Sequence, residues 1–388
     1  MSLSMVNDTA MNLQAVDELM CALLRGEDLS WPEGNSTAFA ETFLERSDYH
    51  GVQALLDQRL DGGQASPPVV QQVLHRQVIR QAAWELFHQQ VLTQVVSGLA
   101  KIGIQPVIFK GTALAYSLYK NPIFRERSDT DLIIPPQERA QVHEVLVSLG
   151  FERGMAVSGE FVSYQASYSL KRPERGIHRL DLHWRINNSE LLSRLFKYEE
   201  LHSEAVPLPE LCADAIAAGP VHALLLAGMH RAVHKQSPYY VNGVAHYSGD
   251  RLIWLYDIHL LTRSFTSADW KELLSLTRQK GLSSVVLEGL ERAHLCFHTR
   301  IPESVVAALE EPGAGERVAM YLSASKLRQL WMNFSSIDSA ANQLRFMREL
   351  VFPPAAYMRS KYPHAQSAWL PWLYARRALG GISKRLRM

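Results

Sequence analysis

Apolar residues recur at helix spacing early in the chain. Leu13, Val16, Leu19, Met20 and Leu23 precede Gly26 and predict an amphipathic helix. Val52, Leu55, Leu56 and Leu60 predict a second, shorter one, closed by Gly62-Gly63. After Pro67-Pro68 the stretch from about Val69 to Leu99 has few breakers and predicts one long helix. The pattern changes near Gly103. Ile104 to Phe109, bounded by Gly103 and Gly111, predicts a strand. Thr112 to Tyr119 predicts a helix capped by Thr112 and ended by Asn121-Pro122. Asp129 to Ile134 reads as a second strand, stopped by Pro135-Pro136, and Gln137 to Leu149 as a helix stopped by Gly150. Val162, Tyr164, Ala166, Tyr168 and Leu170 alternate with polar residues, as do Leu180, Leu182 and Trp184, so two further half-buried strands are predicted. The order strand, helix, strand, helix, strand, strand makes a small α/β unit with a mixed sheet.

Beyond Pro220 the pattern returns to helices: Val221 to Lys235, Arg251 to Arg263, Trp270 to Lys280, Leu282 to Thr299, Val305 to Leu309, and one stretch from about Val318 to Leu350. Tyr239 to Gly249, rich in Tyr, Asn, Gly and Ser, reads as a loop. The organisation is α+β: a helical region over 1–102, a mixed-sheet core over 103–215 and a helical domain over 216–388. A length of 388 residues with 47% hydrophobic content is ample for buried cores in such parts. The net charge of +1 supplies no global field for nucleic acid or anionic membrane, although nucleic acid as a partner stays open through a local patch. The tail with Arg376, Arg377, Lys384, Arg385 and Arg387 is one such place, and a solvated, partly disordered terminus is the expectation there. Three widely spaced cysteines form no CxxC pair, which argues against a disulfide framework or zinc knuckle and fits a reducing cytoplasm. Met1 to Asn12 carries no Lys, Arg or apolar block, so no signal peptide is expected. The apolar run Val221 to Met229 is too short to span a bilayer, and a soluble cytoplasmic protein is expected.

Candidate chemistry concentrates in the core. Asp129 and Asp131 lie two apart at the start of a predicted strand, where period-2 geometry turns both carboxylates to one face. Paired hard oxygen ligands suit magnesium, and Asp181 on a later strand would add a third. Three acids can hold two metals roughly 4 Å apart and so clamp the attacking and leaving oxygens of a phosphoryl or nucleotidyl transfer. Asp-x-Asp alone is a weak signal that a solvated strand end would equally produce. The upstream turn strengthens it: Lys110 adds a positive charge, Gly111 follows a strand, and Thr112 opens a helix whose backbone N–H groups attract phosphate. An ordinary strand-to-helix turn is the bland alternative.

Ile108-Phe109-Lys110-Gly111-Thr112-Ala113-Leu114, Arg125, Ser128-Asp129-Thr130-Asp131-Leu132-Ile133 and Leu180-Asp181-Leu182-His183-Trp184 together resemble the uncharacterised nucleotidyltransferase family of the polymerase-beta-like nucleotidyltransferase superfamily. The superfamily's turn is Gly-Gly or Gly-Ser. Lys110-Gly111-Thr112 and the long distance from Gly111 to Asp129 depart from that pattern, as is usual for the subfamily. His50-Gly51-Val52 resembles the family's N-terminal helical segment, and His222, His230, Arg251, Trp254 and Asp257 its C-terminal one, so that about four fifths of the chain is covered. The resemblance implies a nucleotidyltransferase core with helical flanks, and attack of an acceptor hydroxyl on the α-phosphate of a nucleoside triphosphate. Asp129 and Asp131 would bridge two magnesium ions, with manganese as an alternative, and Asp181 would hold the catalytic ion and help deprotonate the acceptor. Lys110, Gly111, Thr112 and Ser128 would hold the β- and γ-phosphates, with Arg125 or Arg127 offsetting charge on the leaving pyrophosphate. The resemblance names no acceptor, which stays open among small molecules, proteins and RNA.

Other signals compete. His230 and His234 have the spacing of two zinc ligands on a helix, but no Glu follows His230, and a polar helix face is the preferred reading. Arg251 and Asp257 fit either contact with the nucleotide or acceptor or a structural ion pair, and the ion pair is slightly preferred. His178-Arg179-Leu180-Asp181 with Asn187 has one residue too many for a kinase catalytic loop, and no Gly-x-Gly-x-x-Gly occurs. A nucleotide-binding module without turnover, acting through its helical flanks, is the alternative to an enzyme.

Overall fold

The computed structural model describes residues 3–386 apart from 29–30, 33–36, 62–65, 155–160, 174–175, 236–238, 242–243, 247–248, 312–315 and 366–367. Four helices open the chain: α1 (Leu3–Arg25), α2 (Thr37–His50), α3 (Gln53–Asp61) and α4 (Pro68–Ala100). The last of these begins at a proline, whose missing N–H is tolerated in a first turn. The core follows with β1 (Val107–Phe109), α5 (Lys110–Ser117), β2 (Thr130–Ile133), α6 (Arg139–Ser148), β3 (Glu152–Arg153), β4 (Gln165–Arg172), β5 (Gly176–His183), α7 (Glu190–Ser193), α8 (Tyr198–Ser203), β6 (Val206–Pro207) and β7 (Ile216–Ala217). Then come α9 (Pro220–His234), β8 (Tyr239–Val241), β9 (Val244–His246), α10 (Leu252–Arg263), α11 (Ser267–Lys280), α12 (Ser283–Phe297), α13 (Glu303–Glu310), α14 (Arg317–Ser323), α15 (Lys326–Ser335), α16 (Ala340–Val351), α17 (Ala355–Lys361) and α18 (Leu370–Leu386).

Seven strands form one mixed sheet in the order β3-β4-β5-β2-β1-β7-β6, so the fold is α+β with helical flanks. At its centre β2 runs antiparallel to β1 and parallel to β5. Alternation along these strands sorts the faces. Ile108, Leu132, Leu180 and Leu182 pack with Leu92, Val95 and Leu99 of α4 and with Val142 and Leu146 of α6. Val107, Phe109 and Ile133 point to the opposite face and pack with Leu224 and Leu225 of α9 and Ile258 of α10. A third apolar cluster joins α1, α2 and α3 to α10 and α12, with Phe43, Leu56, Ile253 and Phe297 buried together. Helices that precede and follow the sheet in sequence therefore share one core. No helix among the described residues is long and apolar enough to cross a membrane.

Several elements differ from their sequence reading. The helix after β1 starts at Lys110, with Phe109 in the N-cap position, so Thr112 lies inside the first turn and does not cap it. Tyr239–Val241 and Val244–His246 pair as antiparallel strands β8 and β9 instead of lying in a loop. The expected helix over Val318 to Leu350 is three helices, because the Ser325 and Ser339 hydroxyls cap new starts by accepting from Arg328 N and Asn342 N. Arg376, Arg377, Lys384 and Arg385 of the basic tail lie within the helix α18, and Arg387 lies outside the described residues. The short strands β3, β6 and β7 have too few residues for alternation to register. Gly62-Gly63 lies outside the described residues.

Candidate active site

The parallel pairing of β2 and β5 sets Asp131 directly beside Asp181 and Ile133 beside His183. Asp129 precedes β2 by one residue and shares the face of Asp131 by strand parity. Thr130, between them, points the other way and is fully buried. Its hydroxyl meets Thr112 Oγ1 at 2.8 Å and His88 Nε2 at 2.8 Å, tying β2 to α5 and α4 from behind. The acid pair thus stands on a strand fixed from its reverse side.

Ligand atoms of Asp131, Asp181 and His183 lie within 4.8 Å of one another. Lys110 Nζ donates to Asp131 Oδ1 at 2.5 Å, and His183 Nε2 meets the same oxygen at 2.8 Å. Gln165 Nε2 donates to Asp181 Oδ2 at 3.2 Å. Burial alone would raise the Asp131 carboxyl, but the Lys110 ammonium and the His183 hydrogen bond outweigh it and hold the group well below the usual carboxylate range. Asp129 behaves oppositely. Burial, then repulsion from Asp131 and Asp181, pushes it up to about 6, against partial offset from Lys110 and Arg125. His183 also has a buried Nδ1 with no partner among the described residues. Clustered carboxylates, one of them driven toward protonation by burial and by its neighbours, fit a divalent cation, which would relieve that repulsion.

Lys110 reaches Asp131 from an unusual backbone. Its φ of 56° is left-handed, a conformation costly for a residue with a Cβ, and it turns the chain from β1 into α5. Gly111 is not strained, and a Cβ there would make ordinary contacts with Arg127 and Arg125 at 3.6–3.7 Å. Thr112 faces inward, its hydroxyl also accepting from Arg127 Nε at 3.0 Å.

Lys110, Gly111, Arg125, Arg127, Ser128, Asp129 and Asp131 line a cleft of about 240 Å³. Its far wall comes from α9 and α10, through His230, His234, Arg251, Trp254 and Asp257. Both arginines from the core are engaged with protein. Arg125 grips Asp257, with Nη2 to Oδ2 at 2.7 Å and Nε to both oxygens at 2.9 Å, while Tyr119 donates to Asp257 at 2.7 Å. Arg127 pairs with buried Glu85 at 2.6 Å. The expected Arg251–Asp257 pair is therefore replaced: Asp257 takes Arg125, and Arg251 Nε donates to Tyr49 O at 2.5 Å. Gly51 explains that reach. Its φ is +68°, and a Cβ would sit 2.6 Å from the Arg251 guanidinium. His50 adds a second tie by accepting from Leu252 N at 3.1 Å, so the turn between α2 and α3 positions the start of α10.

His230 is half-buried on the cleft wall, while His234, one turn on, is exposed as a polar helix face would be. Their rings lie 4.4 Å apart, and His230 meets Trp254 edge-on at 5.4 Å on the cleft wall. Burial keeps His230 well below its ordinary value, and therefore neutral. His222 lies elsewhere, buried and 3.5 Å from Glu200. The residue missed from sequence is His183. Asp181-x-His183 places it on the acid face by the same parity that pairs Asp129 with Asp131.

The fold and cleft can be set beside known proteins. A solved antigenic nucleotidyltransferase-like protein from Paracoccidioides brasiliensis aligns at 17% identity and a TM-score of 0.31, covering 54% of this chain and 96% of that one. No curated protein matches the sequence. A family model described as uncharacterised nucleotidyltransferase matches residues 37–298, well over half the chain, though less than the four fifths expected. That span includes the His50-Gly51 turn, the Lys110 turn, all three aspartates and the α10 wall. The chain belongs to the uncharacterised nucleotidyltransferase family.

Proposed function

We propose that this protein transfers a nucleoside monophosphate from a nucleoside triphosphate to a hydroxyl acceptor, using two magnesium ions or manganese in their place. The observation that carries the reading is the parallel register setting Asp131 against Asp181, with Asp129 on the same face and raised by burial and by its neighbours. Asp129, Asp131 and Asp181 are the residues that would hold the ions, and His183 is placed to orient Asp131. Bound divalent ions would offset negative charge on the α-phosphate and on the leaving pyrophosphate.

The remaining roles fall to the protein's own groups. Asp181 is assigned to take the acceptor's proton as the new oxygen–phosphorus bond forms and the bond to pyrophosphate breaks. Lys110, free to exchange its contact with Asp131 for a phosphate oxygen, neutralises the triphosphate. Gly111 and Ser128 line the cleft where the β- and γ-phosphates would lie. Arg125, Arg127 and Thr112 act by holding the turn in shape, since their polar groups already bond within the protein. Trp254 and the neutral His230 offer flat surfaces for a base.

The experiment is magnesium-dependent pyrophosphate release and label transfer from a panel of labelled triphosphates, comparing the wild type with the double variant Asp129→Ala, Asp131→Ala. Release and metal-nucleotide binding should both disappear in the variant. Equal binding by both proteins would show that the site lies elsewhere. Stable binding by the wild type without consumption would mark a nucleotide-binding module.

A further inference from the structure

A second cavity, of about 460 Å³, lies between α3, α4 and the segment that carries Arg125 to Arg127. Glu126 lines both this cavity and the acid cleft. Gln77 and Gln81, one turn apart on α4, and Gln53 at the start of α3 complete its polar wall. Gln53 is 6% exposed, and its amide nitrogen donates to Asp48 Oδ1 at 2.5 Å. Four buried side-chain atoms on this wall have no protein partner among the described residues: Gln53 Oε1, Gln77 Oε1, Gln81 Nε2 and Glu126 Oε2. Polar atoms left so are costly in a folded protein, and their convergence on one cavity points to a ligand.

We propose that this cavity binds a neutral polyhydroxyl compound, a sugar or polyol, through Gln53, Gln77, Gln81 and Glu126. The unmatched set is three acceptors and one donor. An ammonium supplies donors but no acceptor for Gln81. A phosphate or carboxylate supplies acceptors and would face the carboxylates of Glu126 and Asp48, with Arg80 the one cation among the lining residues. Adjacent hydroxyls donate and accept at the same positions. They also match a glutamine amide in either orientation, whereas the exclusion of an ammonium rests on Gln81 presenting its amide nitrogen. The volume falls within the range of small-molecule sites, which run from about 300 to about 1,000 Å³. Because Glu126 is shared, the site abuts the acid cleft without being part of it.

The test uses the full chain without nucleotide, so it stands or falls apart from the transfer reaction. Saturation-transfer NMR is run with glucose, myo-inositol, sorbitol and trehalose at millimolar concentration, with glucose 6-phosphate and spermidine as charged controls. At least one neutral compound should give a signal that the charged controls do not. Its affinity should fall about tenfold in Gln77→Leu and in Gln81→Leu, the loss of roughly one hydrogen bond each. Circular dichroism and the unfolding midpoint confirm that each variant is folded, and if one is not, the other carries the comparison. Signals from the charged controls alone, equal binding by wild type and variants, or no signal from any compound would overturn the proposal and leave a cavity filled by water only.

Discussion

Asp129→Asn should stabilise the metal-free protein while removing its response to metal. In the folded chain this carboxyl rises from 3.8 to about 6, through burial and then the charges of Asp131 and Asp181. A raised acid works against folding once the unfolded state has lost its proton. Below about pH 4 both states are protonated and the group is neutral in its effect. Between about 4 and 6 the unfolded chain ionises while the folded site holds its proton, and stability falls. Above about 6 the cost is complete. A shift of about two units at 1.36 kcal/mol each gives roughly 3 kcal/mol, an upper value because asparagine keeps the volume but changes the hydrogen bonds. Urea unfolding in chelator, repeated across pH, is the assay. The variant should match the wild type below about pH 4 and exceed it by up to about 3 kcal/mol near neutrality. Added magnesium should raise the wild-type midpoint and leave the variant's unchanged. A variant no more stable than the wild type at neutral pH, or a difference that does not depend on pH, would refute the reasoning.

Asp257→Ala would leave Arg125 buried without its carboxylate and should cost about 3–5 kcal/mol in urea unfolding, against far less for an exposed acid. At position 110 the left-handed backbone favours glycine, so Lys110→Gly should be more stable than Lys110→Ala by about 1 kcal/mol, although both lose the contact with Asp131. Burial lowers His50 and His259 from 6.5 to about 4, so each contributes stability that is present above about pH 6.5 and lost as pH falls toward 4, by about 1.4 kcal/mol per unit. His259→Gln should flatten the acid limb of the stability profile measured by thermal unfolding, and an unchanged slope would exclude that histidine.

What was legible in the sequence was local and periodic. Alternation gave the central strands, and Asp129-x-Asp131 on one of them had its shared face fixed by parity alone. The same argument reaches His183, but imidazole beside two acids reads as an ordinary strand residue until β5 is known to lie next to β2. The far wall was harder still. His230 and His234 carry a helical spacing that says nothing about which partner covers them, and Trp254 meets them only through long-range packing. At the turn, glycine drew attention to Gly111, whereas the left-handed conformation belongs to its neighbour Lys110. Val318 to Leu350 looked continuous because its apolar spacing persists across Ser325 and Ser339, where two hydroxyl caps restart the chain.

The side-by-side register of Asp131 and Asp181 makes the site a matter of odd and even counting. A single residue inserted in β5 ahead of Asp181 would send its carboxylate to the face where Leu132, Leu180 and Leu182 pack under α4. Leu182, on the same strand, would be turned into the cleft by the same slip. The hairpin with β4, paired over eight positions from Gln165↔His183 to Arg172↔Gly176, guards against this, since any slip must break the whole ladder at once. Length changes outside that ladder leave the count intact. A change in loop length leaves the faces of the strands as they are, while the spacing from Gly176 to His183 behaves like a reading frame.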